Sequence, residues 1–188
     1  MPALGADVVR SENYPECVLT TDQKGAIAET AIAHAAIKLG YDVYKPLNEG
    51  TRYDLILDVE GELIRVQCKW APRHGDVIAV RCCSSRRSAT GIIKRVYTPD
   101  EIDAFAAYCA ELDRCYFLPI EHFPHTRQIQ LRLGPTKNNQ KLGIHWAEQY
   151  EFGARLGDRG AVAQLGERRH GMPEVRGSIP LGSIHSAA

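Results

Sequence analysis

A chain of 188 residues is long enough to enclose one substantial core, and 44% hydrophobic with 24% charged residues is the balance of an ordinary globular domain. Its 23 basic side chains equal its 23 acidic ones, so net charge gives no general pull toward a polyanion, and any such affinity must come from local clusters. No apolar run is long enough to span a membrane, and residues 1–10 lack the basic start and apolar stretch of a secretory signal, so the expected compartment is the cytoplasm.

Residues 1–18 show no period and read as an N-terminal arm. A helix is predicted from Gln23 to Leu39, capped by Thr20, Thr21 or Asp22 and stopped by Gly40. Ile27, Ala31, Ala35 and Leu39 recur at four-residue steps, with Ile32 and Ala36 on an adjoining stripe. Residues 41–46 are β-prone and read as a first strand. A loop with Asn48, Glu49 and Gly50 follows, and residues 52–70 then read as two strands around a Glu60-Gly61 turn. Residues 77–83 are predicted as a further strand. Residues 84–95 have no assigned element and carry Arg86, Arg87, Lys94 and Arg95 around a glycine. Thr98 as N-cap, Pro99 at the first helical position and Glu101 closing a capping box predict a second helix. Residues 115–120 and 127–133 read as strands, 134–141 as loop and 144–152 as a short helix. The order is that of a mixed α/β domain with a central sheet over residues 19–152.

Beyond residue 152 the chain becomes rich in Gly and Arg and loses any sustained period. Val162-Ala-Gln-Leu-Gly-Glu167 and Gly177-Ser-Ile-Pro180 look like conceptual translation of the D and T arms of a tRNA gene, 18 codons apart. A segment of that origin was not shaped to bury a core, so 153–188 is expected to be a disordered tail. The six cysteines, Cys17, Cys68, Cys82, Cys83, Cys109 and Cys115, form no C-x-x-C pair. They read as small core residues rather than a zinc site.

The 52–70 hairpin carries the chemistry. With Glu60 and Gly61 as a two-residue turn, opposed residues sum to 121. Leu57 with Ile64, Leu55 with Val66, and Tyr53 with Cys68 then share one apolar face. Asp58 with Leu63, Ile56 with Arg65, Asp54 with Gln67, and Arg52 with Lys69 share the other, which is expected to pack near the first helix. A slip of one residue would scramble this sorting. Opposed Cβ atoms lie about 5 Å apart and diagonal ones about 7–8 Å. One small cation could therefore touch Asp54 and the Gln67 amide oxygen, with Lys69 beside it. A hard divalent ion there would polarise a phosphodiester and lower the pKa of a bound water, and Lys69 could orient that water or neutralise developing charge. A solvated polar face accounts for the alternation as well, but not for this gathering of acids, amide and cations.

Arg52-Tyr-Asp54 followed by Gln67-Cys-Lys69, thirteen positions from acid to amide, resembles the PD-(D/E)XK nuclease superfamily. The helix segment Gly25-Ala-Ile-Ala-Glu29 is similar to the first core helix of that superfamily. The resemblance covers residues 20–70 and implies a restriction-endonuclease-like αβββαβ core, a mixed central sheet flanked by helices. It departs from the pattern twice: Tyr53 stands where a proline is usual, and Gln67 replaces the second acid. A glutamine there resembles the group I intron homing endonucleases of the superfamily. A carboxamide ligates without a charge, and Glu29 would restore one negative ligand. The resemblance thus implies that Asp54, Gln67, Glu29 and the Cys68 carbonyl hold Mg²⁺ (or Mn²⁺), with Glu29, Asp54, Gln67 and Lys69 as the catalytic set.

Arg86, Arg87, Lys94 and Arg95 are the best candidates for gripping DNA phosphates, with Arg73 and His74 as an extension; each could equally be a solvated residue. Arg52 could bind phosphate or pair with Glu49. His122 and His125 read as turn residues rather than ligands, and Trp70 and Tyr97 as core or edge aromatics. The expected activity is magnesium-dependent cleavage of double-stranded DNA, of homing type, by a homodimer or homotetramer. A Holliday junction resolvase, a restriction enzyme, or a decayed DNA-binding protein are the alternatives.

Overall fold

The computed structural model describes residues 18–48, 50–136 and 142–156, apart from the side chains of Arg86 and Arg87. Residues 1–17 of the expected arm, most of the expected tail and Glu49 lie outside these residues.

Helix α1, Thr21–Lys38, starts where a capping box closes: the Gln23 N–H donates to the Thr20 hydroxyl (3.2 Å) and the Thr20 N–H to the Gln23 side chain (2.9 Å). Gly40, at φ +86°, turns the chain out of the helix. The buried stripe is Ala28, Ile32 and Ala36. The expected main stripe is corrected, since Ile27 and Leu39 are exposed at 37% and 39%.

The strands are β1 (Asp42–Tyr44), β2 (Leu55–Val59), β3 (Glu62–Trp70), β4 (Arg73–His74), β5 (Val77–Arg81), β6 (Cys83–Ser88), β7 (Gly91–Val96), β8 (Ala104–Cys109), β9 (Arg114–Pro119), β10 (Gln128–Arg132) and β11 (His145–Trp146). A five-stranded sheet runs β1-β2-β3-β8-β9. It is mixed, because β3 and β8 are parallel and the other neighbours antiparallel. A second sheet runs β11-β10-β5-β4, and β6 and β7 form a separate hairpin. The central sheet has α1 on one face, through a cluster of Ile32, Ala36, Leu55, Leu57, Ile64, Val66 and Ala106. Its other face meets the second sheet, through Phe105, Ala107, Tyr116 and Leu118 against Ile78, Val80, Ile129 and Leu131. The restriction-endonuclease-like core is therefore present, with a sheet in place of helical cover on one side.

The second helix expected from Thr98 is a single turn. Glu101 does reach back to the Thr98 N–H (3.3 Å), and the Glu101 N–H bonds the Thr98 carbonyl (3.0 Å). Arg65 then removes the acceptors that a helix needs. Its guanidinium takes the carbonyls of Pro99 and Asp100 and both carboxylate oxygens of Asp103, while the Asp103 N–H donates to the Arg65 carbonyl (2.9 Å). The chain continues as β8, an alanine-rich strand buried on both faces. Ala104 and Ala106 face the α1 side, where small side chains let the helix approach. Burial here overrides the helical propensity of alanine.

Two further expectations change. Residues 84–95 are a regular hairpin, with Ser85 opposite Lys94 and Arg87 opposite Ile92. In place of a helix at 144–152 there is β11, then a 3₁₀ turn at Ala147–Tyr150. Cys68, Cys82 and Cys109 are buried, and Cys83 and Cys115 partly so, all as free thiols. Among the described residues no helix is long and apolar enough to cross a membrane.

Candidate active site

The β2–β3 hairpin has the expected register. Leu55 pairs with Val66, Leu57 with Ile64 and Val59 with Glu62. Glu60 and Gly61 take φ of 56° and 87°, the two positive values of a type I′ turn, and the Gly61 N–H donates to the Asp58 carboxylate (2.8 Å). The ladder ends at Leu55. Beyond it the Asp54 N–H still reaches the Val66 carbonyl (2.9 Å), but the Cys68 N–H is taken by the Asp54 carboxylate (2.8 Å). Tyr53 and Arg52 are therefore not ladder partners of Cys68 and Lys69. Tyr53 packs into the cluster against the second sheet, while Cys68 belongs to the α1 side.

This break gathers the site. The same Asp54 oxygen accepts from the Gln67 amide, which is 7% exposed and also lies 3.5 Å from the Cys68 carbonyl. Burial raises the proton affinity of Asp54, and the Glu29 charge adds to the rise; the Cys68 N–H, Lys69 and Lys45 oppose it. A buried carboxylate that also feels a second negative charge asks for a cation. Lys69 projects from β3 beside that carboxylate. Burial holds its ammonium below the usual lysine range, partly offset by the Asp54 charge.

Gln67 and Lys69 lie on the face away from α1, not on the face toward it as expected, because the apolar side of the hairpin is the one that covers the helix. The Glu29 charge on α1 nevertheless acts on Asp54, and Glu29 pairs with Lys45 (2.7 Å), whose own ammonium also feels Asp54.

Two residues at the site escape the motif. Lys45 follows β1, and the β1–β2 register, Tyr44 opposite Ile56, carries it to the Asp54 end of β2; assigning that pairing would have found it. Tyr97 is a buried aromatic, as read, but its hydroxyl also meets Lys69 Nζ at 3.4 Å. The Lys69 ammonium sits 5.1 Å from the ring centroid and the Arg52 guanidinium 3.9 Å. Burial pushes the Tyr97 hydroxyl up to about 12, so it stays protonated.

Arg52 is a clamp, not a free phosphate ligand. It bonds Glu101 (3.1 Å), the Ser84 hydroxyl (3.0 Å) and the Val96 carbonyl (3.0 Å), tying the base of the β6–β7 hairpin to the 98–101 turn. Arg95 shares Glu101 with it. Lys94 and Arg95 stand on β7, and Arg86 and Arg87 on β6 opposite Ile93 and Ile92. Arg73 and His74 are exposed on β4. His122 ends a 3₁₀ turn and His125 occupies a turn at φ +57°, as read. No cluster of three or more His, Cys, Asp or Glu suited to a metal occurs among the described residues.

The donors do suit a hard divalent cation: the Asp54 carboxylate with the Gln67 amide and the Cys68 carbonyl beside it, and Glu29 near enough for its charge to act on Asp54. Glu29 and Asp54 would supply the charge and the Cys68 carbonyl a neutral oxygen. Gln67 now gives its N–H to Asp54; to ligate, it must turn the amide over and present Oε1.

The model of one protein family matches residues 19–153, a family described as PD-(D/E)XK endonuclease. Among solved structures the chain is similar to a bacterial homing endonuclease, I-Ssp6803I, at 28% identity and a TM-score of 0.60, over 81% of this chain and 99% of that one. No curated protein matches. The matched span holds the whole hairpin, α1 and both sheets, and the chain belongs to the PD-(D/E)XK endonuclease family.

Proposed function

We propose that this endonuclease hydrolyses phosphodiester bonds of double-stranded DNA with Mg²⁺ or Mn²⁺, and that it is of homing type. The observation that carries the proposal is the Asp54 carboxylate, locked by the Cys68 N–H and Gln67, with Glu29 and Lys69 converging on it. The similarity to a homing endonuclease and the glutamine in place of the second acid support the homing type.

The proposed work divides as follows. Glu29, Asp54, the Cys68 carbonyl and Oε1 of Gln67 hold the cation. Bound there, it would polarise a phosphate oxygen and make a water more acidic. Lys69, fixed by Tyr97, holds the attacking water or balances charge growing on the phosphate. The β6–β7 hairpin, with Arg86, Arg87, Lys94 and Arg95 on its strands and Ile92 68% exposed, grips the duplex. The expected boundary at 152 moves to 156, because Leu156 is fully buried in the α1-side cluster and its carbonyl accepts from the Tyr41 hydroxyl (2.9 Å); the proposed domain spans 19–156, with the proposed tail beyond it. Cutting both strands calls for a homodimer or homotetramer, working in the cytoplasm.

Plasmid incubated with Mg²⁺ tests the proposal. Nicking that needs the metal and vanishes in Lys69→Ala supports it. The Gln67 amide serving as a donor to Asp54 favours one alternative, a decayed DNA-binding protein. That protein would bind duplex without nicking it, and Asp54→Ala would change nothing.

A further inference from the structure

The second sheet has an outer face that the catalytic site does not use. β5 and β10 pair antiparallel, with Arg81 opposite Gln128, Ala79 opposite Gln130 and Val77 opposite Arg132. Their intervening residues Ile78, Val80, Ile129 and Leu131 are buried in the core. The pleat therefore turns Arg81, Ala79, Gln128 and Gln130 outward, and Arg81, Gln128 and Gln130 are exposed. None of these outward positions bears a carboxylate. The pairing is continued by the Cys82 N–H to the Arg127 carbonyl (2.9 Å), and β5 touches β3. The Arg81 end thus lies beside the strand that carries Lys69, whose ammonium feels Cys82 and Cys83.

We infer that this β5–β10 ribbon reads base edges in the major groove of the duplex being cut, with Arg81, Gln128 and Gln130 as its specificity-determining residues. The inference rests on the proposed function and goes beyond it, since the residues assigned to DNA there contact phosphate. β4 and β11 flank the pair only at Val77 and Ile78 and at Leu131 and Arg132, so residues 79–81 with 128–130 form a two-stranded end, and the major groove, about 12 Å wide, admits such a ribbon. Arginine matches the O6 and N7 of guanine, and glutamine the N6 and N7 of adenine. Ala79 is small enough to let the groove floor approach Gln130. Arg132 contributes nothing to reading, because its guanidinium is held by the carbonyls of Gly134 and Pro135 (both 3.1 Å). Successive outward residues stand about 7 Å apart along a strand. With about 3.4 Å per base pair, the two reading layers address positions about two base pairs apart.

Selection from a pool of duplexes with a randomised core, in Ca²⁺ so that they stay intact, tests the inference. The wild type is expected to enrich a motif. Gln130→Ala should lose the preference at one position by roughly tenfold to a hundredfold, and Arg81→Ala should do so about two base pairs away. Ala79→Glu, a carboxylate in the middle of the face and outside the core, should abolish enrichment. Thermal unfolding checks that each variant is folded. An unchanged motif in all three variants overturns the inference, as does a uniform loss of affinity with the motif intact. A wild type that nicks plasmid but enriches no motif overturns it and leaves the proposed function standing. A wild type that neither binds nor nicks overturns both.

Discussion

Replacing Gln67 by glutamate restores the acid that the family usually carries, and it should destabilise the metal-free protein. The Gln67 amide now donates to an Asp54 oxygen at close range in a buried site. Gln67→Glu puts two carboxylates in that contact. At about 4 Å and an effective dielectric of 20, two like charges repel by about 4 kcal/mol. The pair can escape by keeping one proton, which costs about 1.4 kcal/mol for each pH unit above an ordinary carboxylate pKa. The penalty is therefore about 1 kcal/mol at pH 5 and approaches about 4 kcal/mol at pH 7.5. The sign follows from linkage: the retained proton means a folded-state pKa raised above the unfolded one, so stability is lost as pH rises. In EDTA the variant should melt only slightly below wild type at pH 5 and roughly 10 °C below it at pH 7.5. Excess Mg²⁺ should stabilise the variant more than the wild type, because the ion replaces the shared proton. Equal melting temperatures in EDTA at pH 7.5, together with no extra gain from Mg²⁺, would refute the placement of Gln67 against Asp54.

Tyr97→Phe keeps the ring under Arg52 but removes the hydroxyl that meets Lys69. Nicking should slow several-fold and the alkaline limb of its pH profile should move to lower pH, because the Lys69 ammonium loses a partner; an unmoved profile would leave Tyr97 a packing residue only. Glu29→Gln should raise the Mg²⁺ needed for half-maximal nicking by about tenfold or more. It should change stability by less than about 1 kcal/mol, since the Lys45 partner is 68% exposed; metal titration and melting measure the two. Arg52→Ala should cost about 3 kcal/mol or more in urea unfolding, because Glu101 is left partly buried with one partner fewer. Wild-type stability in that variant would contradict the clamp.

What could be read from the sequence was what depends on neighbours in the chain. The Glu60-Gly61 turn fixes the register of Leu55 with Val66, and Thr20 with Gln23 fixes the start of α1. What could not be read depends on distant partners. The Thr98 turn looks like a helix start until Arg65 claims the carbonyls of Pro99 and Asp100. The β6–β7 strands show no apolar alternation and join no other sheet, and Ala89-Thr90 is not a strong hairpin signal. The face of the hairpin that covers α1 differs from the expected one for a related reason. Either face could approach a helix, and the apolar one does, so Glu29 on α1 acts on Asp54 through its charge. The juxtaposition of Asp54 and Gln67 was legible because the β2–β3 register, carried one residue past Leu55 and Val66, brings them together.

The proposed function requires one divalent cation among Glu29, Asp54 and the Cys68 carbonyl. Crystals grown with Mn²⁺ and a duplex would locate it by anomalous scattering. The account predicts a single peak per subunit bounded by those three groups, with Gln67 turned to present its oxygen and Lys69 alongside. A peak elsewhere, or none while Gln67 still donates to Asp54, would contradict it.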